Sequence, residues 1–378
     1  MKNIFKIASL LTAAVMLFAC ELITPGGTNT DDPNSPNSGE LKIFSDKDVI
    51  QANGKDACTI TVMLGDKDVT AESKLFNEFD EEIGLVGGFT TTKVGEHKLY
   101  AEYGTLSTYK KNDSDSWLVI KAIDVQVPES AIDPQPGNLK FVHRAFLTQY
   151  TGTGCGYCPL MIKVLKELMA DKVIPNKAVH AAVHSYGAGD PAYIAAPKVS
   201  NYPYLTVDLV LGFSADQGAS MLTNLVEQHT ADEAKAGISV SPLYYKDKGT
   251  LVVKVAVKAA VDGIFNVGAW LLEDEIYGQQ SDYMGVADES FNTHENCVRI
   301  ADSRYSTTWF GHYLGELKAG QVAEKTFVMD VKSNWKEENL HLAVFTSYGQ
   351  VEGKNVVYTV CNAVDASIST PTPFEYAK

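Results

Sequence analysis

Basic residues are in short supply in this chain. Lys and Arg number 32 against 47 Asp and Glu, a formal charge of −15 over 378 residues. A nucleic-acid binder needs the opposite sign, or at least a basic stripe, and no stripe is present, so that class is excluded. Long apolar runs are equally scarce. The one near the start, Ala8 to Ala19, has 12 residues, well short of the roughly 20 that a membrane-spanning helix needs. Wholesale disorder is excluded too, because 45% of the residues are apolar and only 21% charged. At about 150 residues per domain, the length suggests two or three domains.

What is present begins with a leader. Lys2 and Lys6 form a positive start, and the apolar run ends in Leu17-Phe18-Ala19-Cys20. Residues 1–19 therefore read as a signal peptide. Their end resembles the lipobox of bacterial lipoproteins, with small Ala19 before the cysteine and Phe18 bulkier than is usual there. That resemblance implies lipid attachment at Cys20, removal of the leader and a membrane-anchored protein of the cell envelope. Each buried methylene contributes about 0.8 kcal/mol, so several acyl chains anchor durably. The alternative is a secreted protein whose Cys20 merely sits near a cleavage site. Residues 24–39, TPGGTNTDDPNSPNSG, lack aromatic and large aliphatic side chains, and residues 20–40 read as a flexible stalk.

Residues 41–127 alternate in short strands, as in Cys58-Ile60-Val62, 95–104 and 117–123, and predict a small β-sandwich. Asp68-Val69-Thr70 and Gly95-x-His97-x-x-x-Ala101 resemble bacterial immunoglobulin-like repeats, which serve as spacers and adhesion modules. Cys58 reads as a small core residue. Residues 128–138 carry Pro128, Pro134 and Pro136 and read as a linker. Over 139–236 strands alternate with helices: strand 139–150, helix 159–171, strand 177–185, strand 204–211, helix 215–236. That order predicts an α/β unit. From 237 to 378 alternation returns, as in Leu251-Val253-Val255-Val257, and predicts a second, larger β-sandwich. The fold class is thus multidomain α+β.

The chemistry concentrates in TGTGCGYCPL, residues 151–160. Cys155-Gly156-Tyr157-Cys158 falls where a strand hands over to a helix, the setting in which Cys-x-x-Cys reads as a thioredoxin-like redox motif. Unpaired amides at a helix N-terminus stabilise a thiolate at Cys155. The spacing lets Cys158 reach back and resolve a mixed disulfide, so a Cys155–Cys158 bond is expected. Cys155 is expected to face solvent and Cys158 to be covered by the helix. Gly156 and Tyr157 shape the motif, and Pro159 suits a first helical turn, where its missing N–H costs nothing. Two other readings stay open. A structural staple closing so short a loop removes only about 2 kcal/mol of chain entropy. Half of a zinc site would need a second ligand pair, and the nearest histidines, His180 and His184, share one face of a predicted strand.

Pro203 lies 45 residues after Cys158 and directly before a β-rich run. This is where a thioredoxin-like site needs a cis proline to shape the substrate groove. Tyr202 before it is compatible with cis, and a trans strand-entry proline is the other reading. His294 and Arg299 read either as binding residues or as hydrogen-bonding groups at a sandwich edge. The acidic stretch Glu273, Asp274, Glu275, Asp282, Asp288 and Glu289 lacks calcium-loop spacing and reads as a solvated loop. Cys297 and Cys361 read either as a long-range disulfide or as two buried thiols.

Together these features resemble the outer-membrane-protein-28-related lipoproteins of Gram-negative bacteria. The matching residues are Tyr150-Thr151-Gly152-x-x-Cys155-Gly156-x-Cys158-Pro159, Val183-His184-Ser185, Tyr202-Pro203, Trp270 to Asp274, His294-x-x-x-Val298-Arg299 and Val360 to Ala363. The resemblance spans about 139–367 and implies an outer-membrane, lipid-anchored protein with a thioredoxin-like domain. Two functions follow as expectations. One is a thiol–disulfide oxidoreductase acting on exported client proteins through catalytic Cys155, Cys158 and Pro203, with no cofactor and no metal. The other is a surface binding or adhesion lipoprotein that recognises an unidentified ligand and keeps the central domain as a scaffold. Gly154 departs from the pattern, since an aromatic residue usually precedes the first cysteine in thioredoxins.

Overall fold

The computed structural model describes residues 39–378 except 85–87, 112, 114–115, 172, 198, 302–308 and 354. The leader of residues 1–19, the lipidation site Cys20 and all but the last two residues of the stalk lie outside the described residues. The protein is β-rich and built from several sheets. Among the described residues, no helix is long and apolar enough to cross a membrane.

The described residues of the N-terminal unit form nine strands. They are β1 (Leu41–Ser45), β2 (Val49–Gln51), β3 (Ile60–Leu64), β4 (Lys67–Asp68), β5 (Lys74–Asn77), β6 (Glu82–Ile83), β7 (Gly95–Tyr103), β8 (Leu106–Ser107) and β9 (Leu118–Ile123). One sheet runs β1-β3-β4 and the other β2-β9-β7-β5-β6, with β8 on β7. Alternation explains the packing. Ile60, Val62 and Leu64 turn inward from β3 to meet Leu99 and Ala101 of β7 in one core. Cys58 is fully buried in that core, as a small apolar residue.

The next unit begins with β10 (Ala145–Thr151), α1 (Cys158–Met169), β11 (Ala178–His184), β12 (Tyr204–Val207), β13 (Leu211–Phe213) and α2 (Gly218–His229). Then follow β14 (Ala236–Tyr245), β15 (Thr250–Ala259), β16 (Gly263–Glu273), β17 (Ile276–Tyr277), β18 (Thr293–His294) and β19 (Cys297–Ala301). The last four are β20 (His312–Leu317), β21 (Val322–Asp330), β22 (Leu340–Glu352) and β23 (Asn355–Ser367). A nine-stranded sheet runs β13-β12-β10-β11-β19-β16-β22-β23, with β20 also on β16. Its β10–β11 pair is parallel and β12 runs antiparallel to β10.

This sheet crosses the boundary expected at 236/237. Parallel pairing of β11 with β19 at Ala182 and Cys297 joins the two halves. One face of the sheet carries Phe146, Tyr150 and Val183 from the first half with Trp270, Leu272 and Phe345 from the second, in a single cluster. The opposite face is covered by α1 and α2 at one end and by the β14-β15-β21 sheet at the other. The two regions therefore share the cluster around Phe146 and Trp270, while each also keeps a cluster of its own.

Three element boundaries differ from the sequence reading. The strand expected over 139–150 begins only at Ala145, because Phe141 instead bridges Ala234 and Tyr376. The strand expected over 204–211 is a hairpin, turned where Asp208 and Leu209 adopt positive φ of 55° and 64°. The helix expected over 215–236 occupies 218–229. Thr230 caps it by donating to the Val226 carbonyl at 2.8 Å, and Ala236 already pairs with Ala259 in the β14–β15 ladder.

The segment 128–138 is fastened along its length. Buried Lys258 reaches Asp133 at 2.9 Å and the Pro136 carbonyl at 2.6 Å, and Ser130 reaches Glu324 at 2.5 Å. It joins the units as a packed strap rather than as a free spacer.

Candidate functional site

Strand β10 is buried at all seven positions, and the chain leaves it through Gly152, Thr153 and Gly154 into the two cysteines. A turn forms as Cys155 N–H donates to Gly152 O at 3.0 Å, and Cys158 N–H donates to Cys155 O at 3.1 Å. Helix α1 then starts at Cys158 with Pro159 in its first turn. Its apolar stripe Met161, Val164, Leu165 and Leu168 is buried against the sheet. Cys155 and Cys158 are joined as a disulfide, with Cα atoms 5.3 Å apart.

Pro203 follows a cis Tyr202–Pro203 peptide. It stands one residue before Tyr204, which pairs with Tyr150, so the motif and the proline leave neighbouring strands at the same end of the sheet. Tyr202 and Tyr186 make an edge contact with centroids 5.3 Å apart, and Tyr202 meets Ser185 at 2.9 Å. Gly154 leaves room for an aromatic contributed from elsewhere. Tyr186 ring carbons lie 3.7 Å from where a Cβ on Gly154 would stand.

Cys155 is not solvent-facing. It is 2% exposed and Cys158 0%, which corrects the expectation that only the second thiol is covered. The cover comes from the segment after β17. Gln280, itself buried, donates from Nε2 to Cys155 O at 3.0 Å and to Thr153 O at 3.3 Å. Ser281 N–H donates to Thr153 O and Tyr283 N–H to Gly156 O, both at 2.8 Å. The Tyr283 ring lies over Gly156, where a Cβ would come within 2.4 Å of it. It also meets Tyr157 edge-on at 5.5 Å. A side chain at 156 would have to displace this ring. The rings of Tyr157 and Tyr283 stay exposed, at 50% and 71%.

A second support lies beneath the turn. Asp190 accepts from Thr153 N–H at 2.6 Å, from Ala192 N–H at 2.8 Å and from His184 Nδ1 at 2.9 Å. Burial opposes its ionisation, but the His184 contact and the backbone donors outweigh that and hold the carboxyl down at about 2. His184 Nε2 lies 3.5 Å from Cys297 Sγ, and burial pushes that thiol well up. Asp190, Gln280, Tyr283 and Tyr186 were missed in the sequence reading. Gly152 and Gly156 were the available signal, because glycines flanking a motif mark close approach by other chain segments.

The remaining candidates fall into structural positions. Arg299 pairs with buried Glu273 at 2.6 Å. His294 contacts the Gly278 carbonyl at 2.9 Å. The acidic stretch is not uniformly solvated. Glu273 is buried, Asp274 accepts from Asn296 N–H at 2.7 Å and lies 3.4 Å from His341, and Asp282 ties its own turn through Met284, Gly285 and Ala287. Burial and the need to satisfy each carboxylate order the loop, where charge alone suggested solvation. Cys297 and Cys361 are separate buried thiols. No group of three His, Cys, Asp or Glu is placed to hold a metal among the described residues.

No family model matches the chain, and no curated protein matches it. Among solved structures, HBP35 of Porphyromonas gingivalis aligns with a TM-score of 0.48 and 14% identity, covering 63% of this chain and 80% of that one.

Proposed function

We propose that the protein is a lipid-anchored thiol–disulfide oxidoreductase of the outer membrane, with an immunoglobulin-like N-terminal unit and a thioredoxin-like central unit. The anchor and the thioredoxin-like unit are what the resemblance of about 139–367 to the outer-membrane-protein-28-related lipoproteins implies, and the immunoglobulin-like unit rests on the separate resemblance carried by residues 41–127. The observation that carries the reading is the Cys155–Cys158 disulfide between a buried central strand and a helix N-terminus. Pro203 at the head of the adjacent strand supports it.

In the reduced protein the Cys155 thiolate, favoured by the helix terminus, attacks one sulfur of a client disulfide. The client S–S bond breaks, a client–Cys155 disulfide forms, and the other client sulfur leaves as a thiolate that takes up a proton. The Cys158 thiolate then attacks Cys155 Sγ and expels the second client sulfur. The client gains two electrons and the protein ends as its Cys155–Cys158 disulfide. Cys158→Ser should trap exported clients as covalent adducts on non-reducing gels, and Cys155→Ser should trap none.

The near-complete burial of Cys155 favours a second reading, a surface binding lipoprotein whose central disulfide is structural. If neither single variant traps a client, and both thiols of the reduced protein resist alkylation, that reading replaces the first. Anchoring is tested separately. Cells fed a labelled fatty acid should label the wild type but not Cys20→Ala, and equal labelling would remove the lipid anchor from either reading.

A further inference from the structure

Beside the disulfide, the sheet face under helix α1 changes from apolar to polar. Ala145 and Leu147 of β10 pack on the helix, but Gln149 and Thr151 continue the same row, and His180 and His184 follow on β11. A cavity of about 200 Å³ opens there, walled by Ile162, Leu165 and Met169 of α1 and by Phe291 across from them. Three polar atoms of side chains lining it have no hydrogen-bond partner: Gln149 Nε2, Thr151 Oγ1 and His180 Nε2. Gln149 and Thr151 are only 3% and 2% exposed. All three atoms are shielded from a water-sized probe in this arrangement, so a molecule in the cavity meets them only after a side-chain rotation of the wall. Leaving them unpartnered costs about 1–3 kcal/mol each, which favours that rotation.

The chemistry of such a molecule follows from donors and charge. The Asn296 side-chain amide donates to His180 Nδ1 at 3.3 Å, which leaves the proton on Nε2 as a donor. Burial holds His180 down at about 4, so at neutral pH the ring is an uncharged N–H donor. Gln149 Nε2 is a second donor, and Thr151 adds a hydroxyl. Among the described residues lining the cavity, no free cation accompanies them. Lys166, at the rim, is held by the Ser290 hydroxyl at 2.6 Å and sits 4.6 Å from the Phe291 ring centre, and Glu295 on the wall repels anions. Burying a carboxylate against neutral donors alone would be costly.

We propose that this cavity binds a small, neutral, largely apolar molecule through a carbonyl oxygen received by Gln149 and His180. A cavity of ~150 Å³ holds benzene, so this one suits a ketone or amide of about eight to ten non-hydrogen atoms. The site does not depend on the redox reading, because none of the three unpartnered groups is a cysteine.

The test uses the full chain and fluorine NMR with three probes of one shape: 4-fluoroacetophenone, 4-fluoroethylbenzene and 4-fluorobenzoate. The ketone should bind, with the hydrocarbon and the carboxylate roughly tenfold weaker, the equivalent of one to two hydrogen bonds. Gln149→Leu and His180→Phe should each bring the ketone part of the way, and the double variant the whole way, down to the hydrocarbon's affinity while the Cys155–Cys158 disulfide still forms. Ile162→Trp, entering from the helix side, should abolish binding of all three and keeps the test open if a strand variant fails to fold. Equal binding of ketone and hydrocarbon, strongest binding by the carboxylate, no binding by any probe, or indifference to the substitutions would each overturn the proposal.

Discussion

The side-chain amide of Gln280 donates to the main-chain carbonyl of Cys155 at 3.0 Å. A residue 125 positions downstream thus holds the turn between the two cysteines. Together with Ser281 and Tyr283, it converts an end-of-strand motif that would otherwise face water into a covered one. Access to the disulfide therefore depends on a segment that belongs to the other half of the shared sheet.

That dependence gives the first prediction. Gln280→Ala removes a buried donor from three carbonyls of the turn, and Tyr283→Ala removes the ring over Gly156. Each should speed reduction of the Cys155–Cys158 bond by a small phosphine, by about tenfold if cover alone limits attack, which corresponds to roughly 1.4 kcal/mol of closure. Stopped-time alkylation with mass readout measures it. Unchanged rates in both variants would mean that the segment is not the barrier.

Gly156→Ala probes the same contact from beneath. The new Cβ would stand 2.4 Å from ring carbons of Tyr283, and that ring is mostly exposed, so it can swing away at little cost. Melting should fall by no more than about 1 kcal/mol equivalent, while reduction speeds up as in Tyr283→Ala. In the double variant the two accelerations should not multiply, because both remove one contact.

Stability should change at both ends of the pH range, for opposite reasons. Asp190 is held at about 2 against an ordinary 3.8, so its contribution is complete above about pH 4 and disappears as pH falls through 2. It amounts to roughly 2 kcal/mol. His341 sits 2.8 Å from Asp365 and 3.4 Å from Asp274. Burial works against its charge, but the two carboxylates prevail and raise it to about 9. Its contribution is full below pH 6.5 and is lost as pH rises through 9, again a few kcal/mol at most. Denaturant titrations from pH 2 to 10 should show both shoulders. Asp190→Asn should shrink the acid one and leave the alkaline one, whereas His341→Gln should remove the alkaline one and also weaken the acid one, because His341 helps to hold Asp274 down.

What could be read in the sequence was what is local. The strand, the turn, the Pro159 start and the four-residue apolar stripe of α1 lie within 25 residues of one another, and periodicity exposes each. Pro203 was legible because a proline before a β-run constrains few positions. The cover was not. Gln280 and Tyr283 act through main-chain carbonyls of a distant turn, and such contacts leave no period in either segment. The sharing of one sheet across 236/237 was hidden for a related reason. It hangs on the single Ala182–Cys297 pairing, and a parallel partner 115 positions away cannot be told from an edge by pattern alone. The strap at 128–138 has the prolines of a loose linker, and what distinguishes it is its long-range contacts, with buried Lys258, Glu324 and Tyr376.

That lysine supplies the last prediction. Lys258 is 1% exposed on β15 and gives its ammonium to Asp133 at 2.9 Å, to Pro136 O at 2.6 Å and to the Tyr376 hydroxyl at 3.4 Å. Tyr376 in turn donates to the other oxygen of Asp133 at 2.5 Å. Replacing it with methionine keeps the apolar stem but leaves a carboxylate and a carbonyl without their donor. Breaking such a buried pair from one side costs about 3–5 kcal/mol, and part of that cost can be escaped if the strap lifts into water. Lys258→Met should therefore expose 129–138 to limited proteolysis before the rest of the protein melts, while Asp133→Asn with Lys258→Met should recover part of the loss, since the stranded charge is gone. Should the strap stay resistant in the single variant, its fastening lies in the Ser130–Glu324 contact and the burial of Pro128 rather than in the ion pair.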